Sequence, residues 1–277
     1  MIKLTHHKPI AELSKYIRKI SVFESKSKIE FTQKLTPSAF TYLSYNHLDI
    51  PTSIFGKKKV HPKQRLQIAG PKIDMDIYVQ YNGRLQQILI EFTASGFYYL
   101  FHESPLKYAN SLTGLMKFFS NDEYFTFEEE LKSNDDIQKQ IELIEDFLSD
   151  RRCKALPFCD YIEKSIKAIE EKHGNIPIKK IAEKVEVSER QLERKFLEVV
   201  GMNPKKYSQL TQLHYVINLM NTKNYASLQD IAFSAEYYDM PHFSHKFKEL
   251  TGFTPVDFVN SDKHLALKFF KDLVEHS

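Results

Sequence analysis

Residues 181–207 read IAEKVEVSERQLERKFLEVVGMNPKKY, and residues 231–258 read IAFSAEYYDMPHFSHKFKELTGFTPVDF. The two stretches are copies of one pattern about 50 residues apart. Ile181-Ala182, Leu192, Phe196, Gly201, Pro204 and Tyr207 in the first answer to Ile231-Ala232, Phe243, Phe247, Gly252, Pro255 and Phe258 in the second. The Ile-to-Phe distance differs by one residue, which the pattern places in a turn. Each copy predicts a short helix that presents Ile and Ala to a core, a turn, and a second helix opened by a capping side chain. The caps are Ser188 and Asp239, types that accept a hydrogen bond from an orphan N–H of the first helical turn. Gln191 follows Ser188 at capping-box spacing. Leu192 and Phe196, like Phe243 and Phe247, are four apart and share a helix face. Gly201 and Gly252 fall where a helix ends in left-handed backbone, and Pro204 and Pro255 can open the next helix. One such hairpin would be ordinary in an all-α domain. Two copies with matching caps, glycines and prolines predict a pair of helix-turn-helix units.

Between the copies, Tyr207, Leu210, Leu213, Ile217 and Met220 form the stripe of one long helix. That helix would hold the two units at a fixed separation. A separation near one turn of duplex, about 34 Å, would place both second helices in successive major grooves.

Upstream the pattern changes. Phe40 to Tyr45 alternates at period two, as a half-buried strand does. Ile73 to Gln80 and Leu85 to Phe92 flank Tyr81-Asn82-Gly83-Arg84, and Asn-Gly favours a tight hairpin turn. Gly96 closes a strand-like run, and Phe97 to Phe101 follow it. These runs predict a mostly antiparallel sheet, with helices at about 10–19, 105–118 and 127–150. A linker is expected from Arg151 to Pro157. The expected organisation is therefore an α+β N-terminal domain over 1–150, an all-α domain of about seven helices over 156–262, and a helical tail over 263–277.

The chain has 277 residues and a net charge of +3, so two domains can each bury a core. Between 156 and 262 there are 14 Lys or Arg against 15 Asp or Glu. Any basic face for phosphates must therefore come from arrangement, not from the sum. No signal-peptide pattern or membrane-length apolar run occurs, and the expected compartment is the cytoplasm. Cys153 and Cys159 are too few for a zinc site, and the eleven histidines, among them His6, His7, His47, His61 and His102, show no ligand spacing. No phosphate loop, nucleophile elbow or H-E-x-x-H motif occurs. The sequence predicts neither an enzyme nor a cofactor.

At the second copy, from Tyr238-Asp239-Met240-Pro241-His242-Phe243 to Gly252-Phe253-Thr254-Pro255, the sequence resembles the AraC/XylS family of bacterial transcription regulators. The likeness covers about 100 residues. It implies a seven-helix domain whose two recognition helices bind one face of promoter DNA in a sequence-specific way. By position, the first would offer Glu189, Arg190, Glu193 and Arg194, and the second Met240, Pro241, His242 and His245, with Lys246 nearer to phosphates. Arg190 and Arg194 suit guanine O6 and N7. The linker helix departs from the family pattern, since Gln209, Thr211 and Gln212 stand where arginines are usual, and Val259-Asn260 follow Phe258 without one. The N-terminal part resembles the β-rich domain of a subset of these regulators at Pro37–Tyr45, Gly70–Ile77 and Ile90–Gly96. Such domains bind an effector or pair subunits. Tyr42, Tyr78, Phe92 and Tyr98 are the candidate pocket aromatics, although core packing explains any one of them as well. The expected partners are double-stranded promoter DNA, a second copy of the chain, a small-molecule effector and RNA polymerase, with no membrane. A partner-binding protein whose module has lost DNA affinity stays open, because the region is near neutral. An enzyme fused to the module would need a cysteine-rich metal site that two cysteines cannot build.

Overall fold

A computed structural model describes residues 2–222 and 225–260 of the chain. The expected tail over 263–277 lies outside the described residues. The N-terminal part holds ten antiparallel strands: β1 Ile2–His7, β2 Ile17–Ser25, β3 Ile29–Lys34, β4 Tyr42–Asn46, β5 Thr52–Phe55, β6 Lys58–Val60, β7 Leu66–Ala69, β8 Ile77–Gly83, β9 Gln86–Phe92 and β10 Leu112–Gly114. They form a six-stranded sheet in the order β1-β2-β9-β4-β7-β10 and a four-stranded sheet in the order β3-β8-β5-β6. Helix α1 Gly96–Phe101 lies between β9 and β10, and α2 Asn121–Ser133 and α3 Ile137–Arg152 follow the strands. Seven more helices complete the described chain: α4 Asp160–Glu171, α5 Ile178–Lys184, α6 Glu189–Val200, α7 Pro204–Thr222, α8 Leu228–Ser234, α9 Met240–Thr251 and α10 Pro255–Val259. The architecture is the expected one, an antiparallel-sheet unit followed by a helical unit with two helix-turn-helix pairs.

Several local expectations need correction. Residues 10–19 form only a 3-10 turn at Ala11–Leu13 before β2 begins. Leu13, Tyr16, Ile17 and Ile20 have helical spacing, but pairing of β2 with both β1 and β9 decides the outcome. The Asn82-Gly83 hairpin does not form. β8 pairs with β3 and β5, whereas β9 pairs with β2 and β4, so the chain crosses from one sheet to the other there. Leu85 is buried with Phe23 and Tyr81, and its N–H donates to Ser25 Oγ at 2.7 Å. Phe97 to Phe101 are helical. Phe97 and Phe101, one turn apart, stack at 4.8 Å against the sheet. Residues 105–118 form two 3-10 turns around β10 instead of a helix. The 127–150 segment is two helices, broken between Ser133 and Ile137.

The repeat matches its expected caps. Ser188 Oγ accepts from the Gln191 N–H at 3.2 Å, and Asp239 Oδ1 accepts from the His242 N–H at 2.7 Å. Gly201 and Gly252 both end their helices at φ 83. The twofold likeness extends to the turns, where Glu186 and Glu236 each sit in left-handed backbone at φ 56. Such a conformation is uncommon for a residue with a Cβ. Leu192, Phe196, Phe243, Phe247 and Phe258 are fully buried. One apolar cluster runs from the strand residues Ile20, Leu43 and Phe92 through Tyr99 to Ile162 and Phe196.

Candidate nucleic-acid interface

α6 and α9 are the second helices of the two units. Leu192, Phe196 and Val199 turn one side of α6 to the core, so Glu189, Arg190, Glu193 and Arg194 stand in solvent on the other. Phe243 and Phe247 do the same for α9, leaving Pro241, His242 and His245 exposed. Met240 is partly buried against the core, and Lys246 is half-buried in an ion pair with Glu249 at 2.8 Å. Thus α6 brings its four candidate residues onto one open face, while α9 brings three of its five. Between them runs α7. Its Tyr207, Leu210, Leu213 and Ile217 are buried, and Gln212 Nε2 donates to the Ala235 carbonyl at 2.8 Å in the second unit.

Residues 181–261 match the family model described as a helix-turn-helix domain. This unit is a helix-turn-helix domain. Solved structures of ToxT from Vibrio cholerae are similar to most of the chain. One, in a P21 crystal form, has 12% identity, covers 87% of this chain and 97% of its own, and gives a TM-score of 0.48. A second, bound to (E)-4-(8-methylnaphthalen-1-yl)but-3-enoic acid, has 13% identity, covers 94% and 97%, and gives 0.49. A third, described as unsaturated fatty acid bound, has 13% identity, covers 85% and 96%, and gives 0.45. No curated protein matches the chain by sequence.

The helix-turn-helix unit touches the strand unit at both of its second helices. At the end of α6, the Ser104 hydroxyl donates to the Leu197 carbonyl at 3.3 Å, and Tyr98 donates to the Glu198 carboxylate. Lys195 lies over the Tyr98 ring at 5.5 Å. At the end of α9, the Lys34 ammonium lies 5.9 Å from the Phe253 ring and pairs with Asp76 at 2.8 Å.

A cavity of about 930 Å³ lies between the two sheets and is closed on one side by α4 and α7. Tyr42 lines it. Tyr78 points to the opposite side of β8 from the lining residues Ile77, Val79 and Tyr81. Phe92 is fully buried against Phe97 and Phe101, and Tyr98 serves the contact with α6. Of the four candidate aromatics, therefore, only Tyr42 faces the cavity. The polar lining includes residues the sequence did not single out, among them Arg18, Lys19, Gln33, Lys72 and Glu91. A register shift in the β2–β9 ladder between Ile17 and Lys19 leaves Arg18 unpaired in the ladder. A bulge of this kind re-aims side chains. The Arg18 guanidinium pairs with the Glu91 carboxylate and lies 4.7 Å from the Phe40 ring centre. Burial works to lower Arg18, and Glu91 more than reverses it. Burial lowers Lys72 to about 8, with Asp76 opposing only in part. Gln33 is fully buried, and neither polar atom of its amide has a partner among the described residues. An unsatisfied buried amide costs about 1–3 kcal/mol.

His214 ties α7 to the strand unit, its Nε2 donating to the Pro37 carbonyl at 3.2 Å. Burial, with Arg18 adding to it, holds the ring down to about 4. The part of its surface that is accessible faces the cavity. Because the folded value is depressed, the contribution to stability is complete above about pH 6.5 and is lost as the pH falls toward 4. The expected loss is up to about 3 kcal/mol across that window. Thermal melts between pH 7.5 and 4.5 should show a steeper acid slope for the natural protein than for His214→Gln. Parallel slopes would mean that His214 does not titrate at this junction.

Proposed function

We propose that the chain is a sequence-specific DNA-binding transcriptional regulator. In this reading α6 and α9 enter adjacent major grooves, and the strand unit over 1–150 senses a ligand or pairs subunits. The observation that carries the reading is the doubled helix-turn-helix at 181–258, with each second helix solvent-facing on one side and anchored by buried aromatics on the other. Arg190 and Arg194 read bases, and Lys246 lies nearer the phosphates.

The cavity supports the sensing half of the reading. A mostly apolar space with a few convergent polar groups is the usual form of a small-molecule site. Gln33 has hydrogen-bonding capacity to spare there, and Lys72 has a cation that burial disfavours. α7 both walls the cavity and joins the two units. A ligand touching Tyr207, Thr211 or Tyr215 would therefore bias how α6 and α9 are presented to DNA. Pairing of two copies would add to affinity by raising effective concentration, which offsets the near-neutral charge of the DNA-binding unit.

The test is recovery of bound duplexes from a random pool by the full chain at two salt concentrations. A motif in two parts about one helical turn apart supports the reading. Failure to enrich any sequence at low salt, with the protein folded, would favour a module that binds a protein partner. Arg194→Ala should weaken binding to the recovered duplex by about 1–3 kcal/mol and relax selectivity at one base. An equal loss on every sequence would instead make Arg194 a phosphate contact.

A further inference from the structure

Aligned through their left-handed glutamates and their helix caps, the two units offer different chemistry on the same side. Ser188 corresponds to Asp239, Arg190 to Pro241, and Arg194 to His245. Both arginines of α6 are thus absent from α9. The second turn also holds one residue more than the first. That extra residue is Tyr238, which follows the left-handed Glu236 at one remove and immediately precedes the cap. Tyr238 is 92% exposed, and Phe233, which takes the place of Glu183, is 83% exposed. No other large apolar side chain among the described residues is as bare as these two, and both belong to the second unit. Pro241, His242 and His245 fall at helical spacing along one open stripe of α9, and Tyr238 stands exposed in the turn just before its cap. The matching positions of α6 carry Arg190, Gln191 and Arg194.

These surfaces suit different base edges. A guanidinium supplies two parallel donors, and guanine is the base that offers two acceptors, O6 and N7, in the major groove. Proline has no donor, and a tyrosine ring offers mainly an apolar face. The apolar feature of the major groove is the C5-methyl group of thymine. Resting on the reading of the chain as a DNA-binding regulator, we propose that Tyr238 and Pro241 read thymine methyl groups in the half-site that α9 takes, while Arg190 and Arg194 read guanine in the half that α6 takes. α6 takes a guanine-containing half through Arg190 and Arg194. α9 takes a thymine-rich half, packing Tyr238 and Pro241 against thymine methyl groups, with His245 alongside.

The experiment starts from the duplex recovered by the full-length protein. That duplex is remade with deoxyuridine for thymidine, which removes only the methyl groups, in one half at a time. It is also remade with 7-deazaguanine, which removes N7, in one half at a time. Deoxyuridine in the thymine-rich half should weaken binding about fourfold for each methyl group that Tyr238 or Pro241 covers, and in the other half hardly at all. 7-Deazaguanine in the guanine-containing half should weaken binding about tenfold. Tyr238→Ala should reduce the deoxyuridine effect to the part that Pro241 covers and leave the 7-deazaguanine effect intact. A side chain this exposed can be truncated at little cost to folding, and the melting temperature of the variant checks that. Equal sensitivity of both halves to deoxyuridine, or a guanine requirement in both, would overturn the asymmetric assignment while leaving the regulator reading in place. Absence of any recovered duplex would overturn the regulator reading and the assignment with it.

Discussion

Phe247→Ala is expected to lower the free energy of unfolding by about 3–5 kcal/mol and to remove specific DNA binding at the second unit. Phe247 is fully buried at the centre of that unit. Its ring meets Phe258 of α10 edge-on at 5.3 Å and Phe243 of α9 at 6.0 Å. Replacing it with alanine removes the transfer energy of a whole ring and leaves a cavity between two helices. The surroundings have little with which to fill it, since α8 and α10 are short and already packed. The loss is large beside the 5–15 kcal/mol of a typical domain, so the unit would be partly open at 37 °C. Lys248→Ala, next to it and exposed, is the control and should change stability by no more than about 0.5 kcal/mol. Urea unfolding of the three proteins measures the difference. A cost below about 1.5 kcal/mol for Phe247→Ala would mean that the second unit does not close around this ring.

The same residue shows why the helical unit was legible in the sequence. Phe247 lies four residues from Phe243, beyond a capping aspartate and before a glycine and a proline, and every one of those signals acts within a few residues. Helix caps and helix periodicity are local physics, so the order of residues exposes them directly. Repetition of the set at a 50-residue interval supplied an independent check. The strand unit rests on partners far apart in the chain, and local signals mislead there. Asn82-Gly83 has the chemistry of a hairpin turn, but a hairpin forms only if the two flanking strands prefer each other. β8 instead finds β3, and β9 finds β2 and β4. Leu13 to Ile20 has the spacing of a helix, yet β2 is held between two neighbours that no window of this length contains. The candidate site divided along the same line. The open faces of α6 and α9 follow from helix geometry once the buried faces are known. The cavity does not, because its polar groups are charged or amide side chains set among apolar strand residues. Lys19 and Gln33 become candidates only when strands β2 and β3 are known to face each other across a space. Tyr78 failed as a lining residue by one position, since a shift of one residue along a strand turns a side chain to the other face.

Gly201→Ala and Gly252→Ala should differ sharply in cost, although the two glycines hold the same place in the repeat. Both follow a second helix, both have φ 83, and both donate back to the carbonyl four residues earlier. A Cβ in left-handed backbone costs about 1–2 kcal/mol at either position. At Gly252 little is added, because the nearest atom to a new Cβ is the Lys34 ammonium at 2.7 Å, the far end of a flexible side chain. At Gly201 the Cβ would meet the Leu106 backbone nitrogen and the Pro105 side chain, each at 2.8 Å. Those atoms belong to a 3-10 turn of the strand unit, which cannot swing aside alone. Overpacking of this kind adds about 1–3 kcal/mol, for a total of about 2–5 kcal/mol at Gly201. The difference between the two variants thus isolates how firmly the strand unit holds the end of α6. Strain at Gly201 also favours separation of the two units, so Gly201→Ala should expose the junction to protease before it unfolds the protein, and Gly252→Ala should not. If α6 has to leave residues 105–106 in order to reach DNA, Gly201→Ala will bind the recovered duplex more tightly at temperatures where it remains folded. If α6 reads DNA while still docked, the same variant will bind more weakly. Equal melting of the two variants would show that the strand unit does not grip α6 at this point in solution.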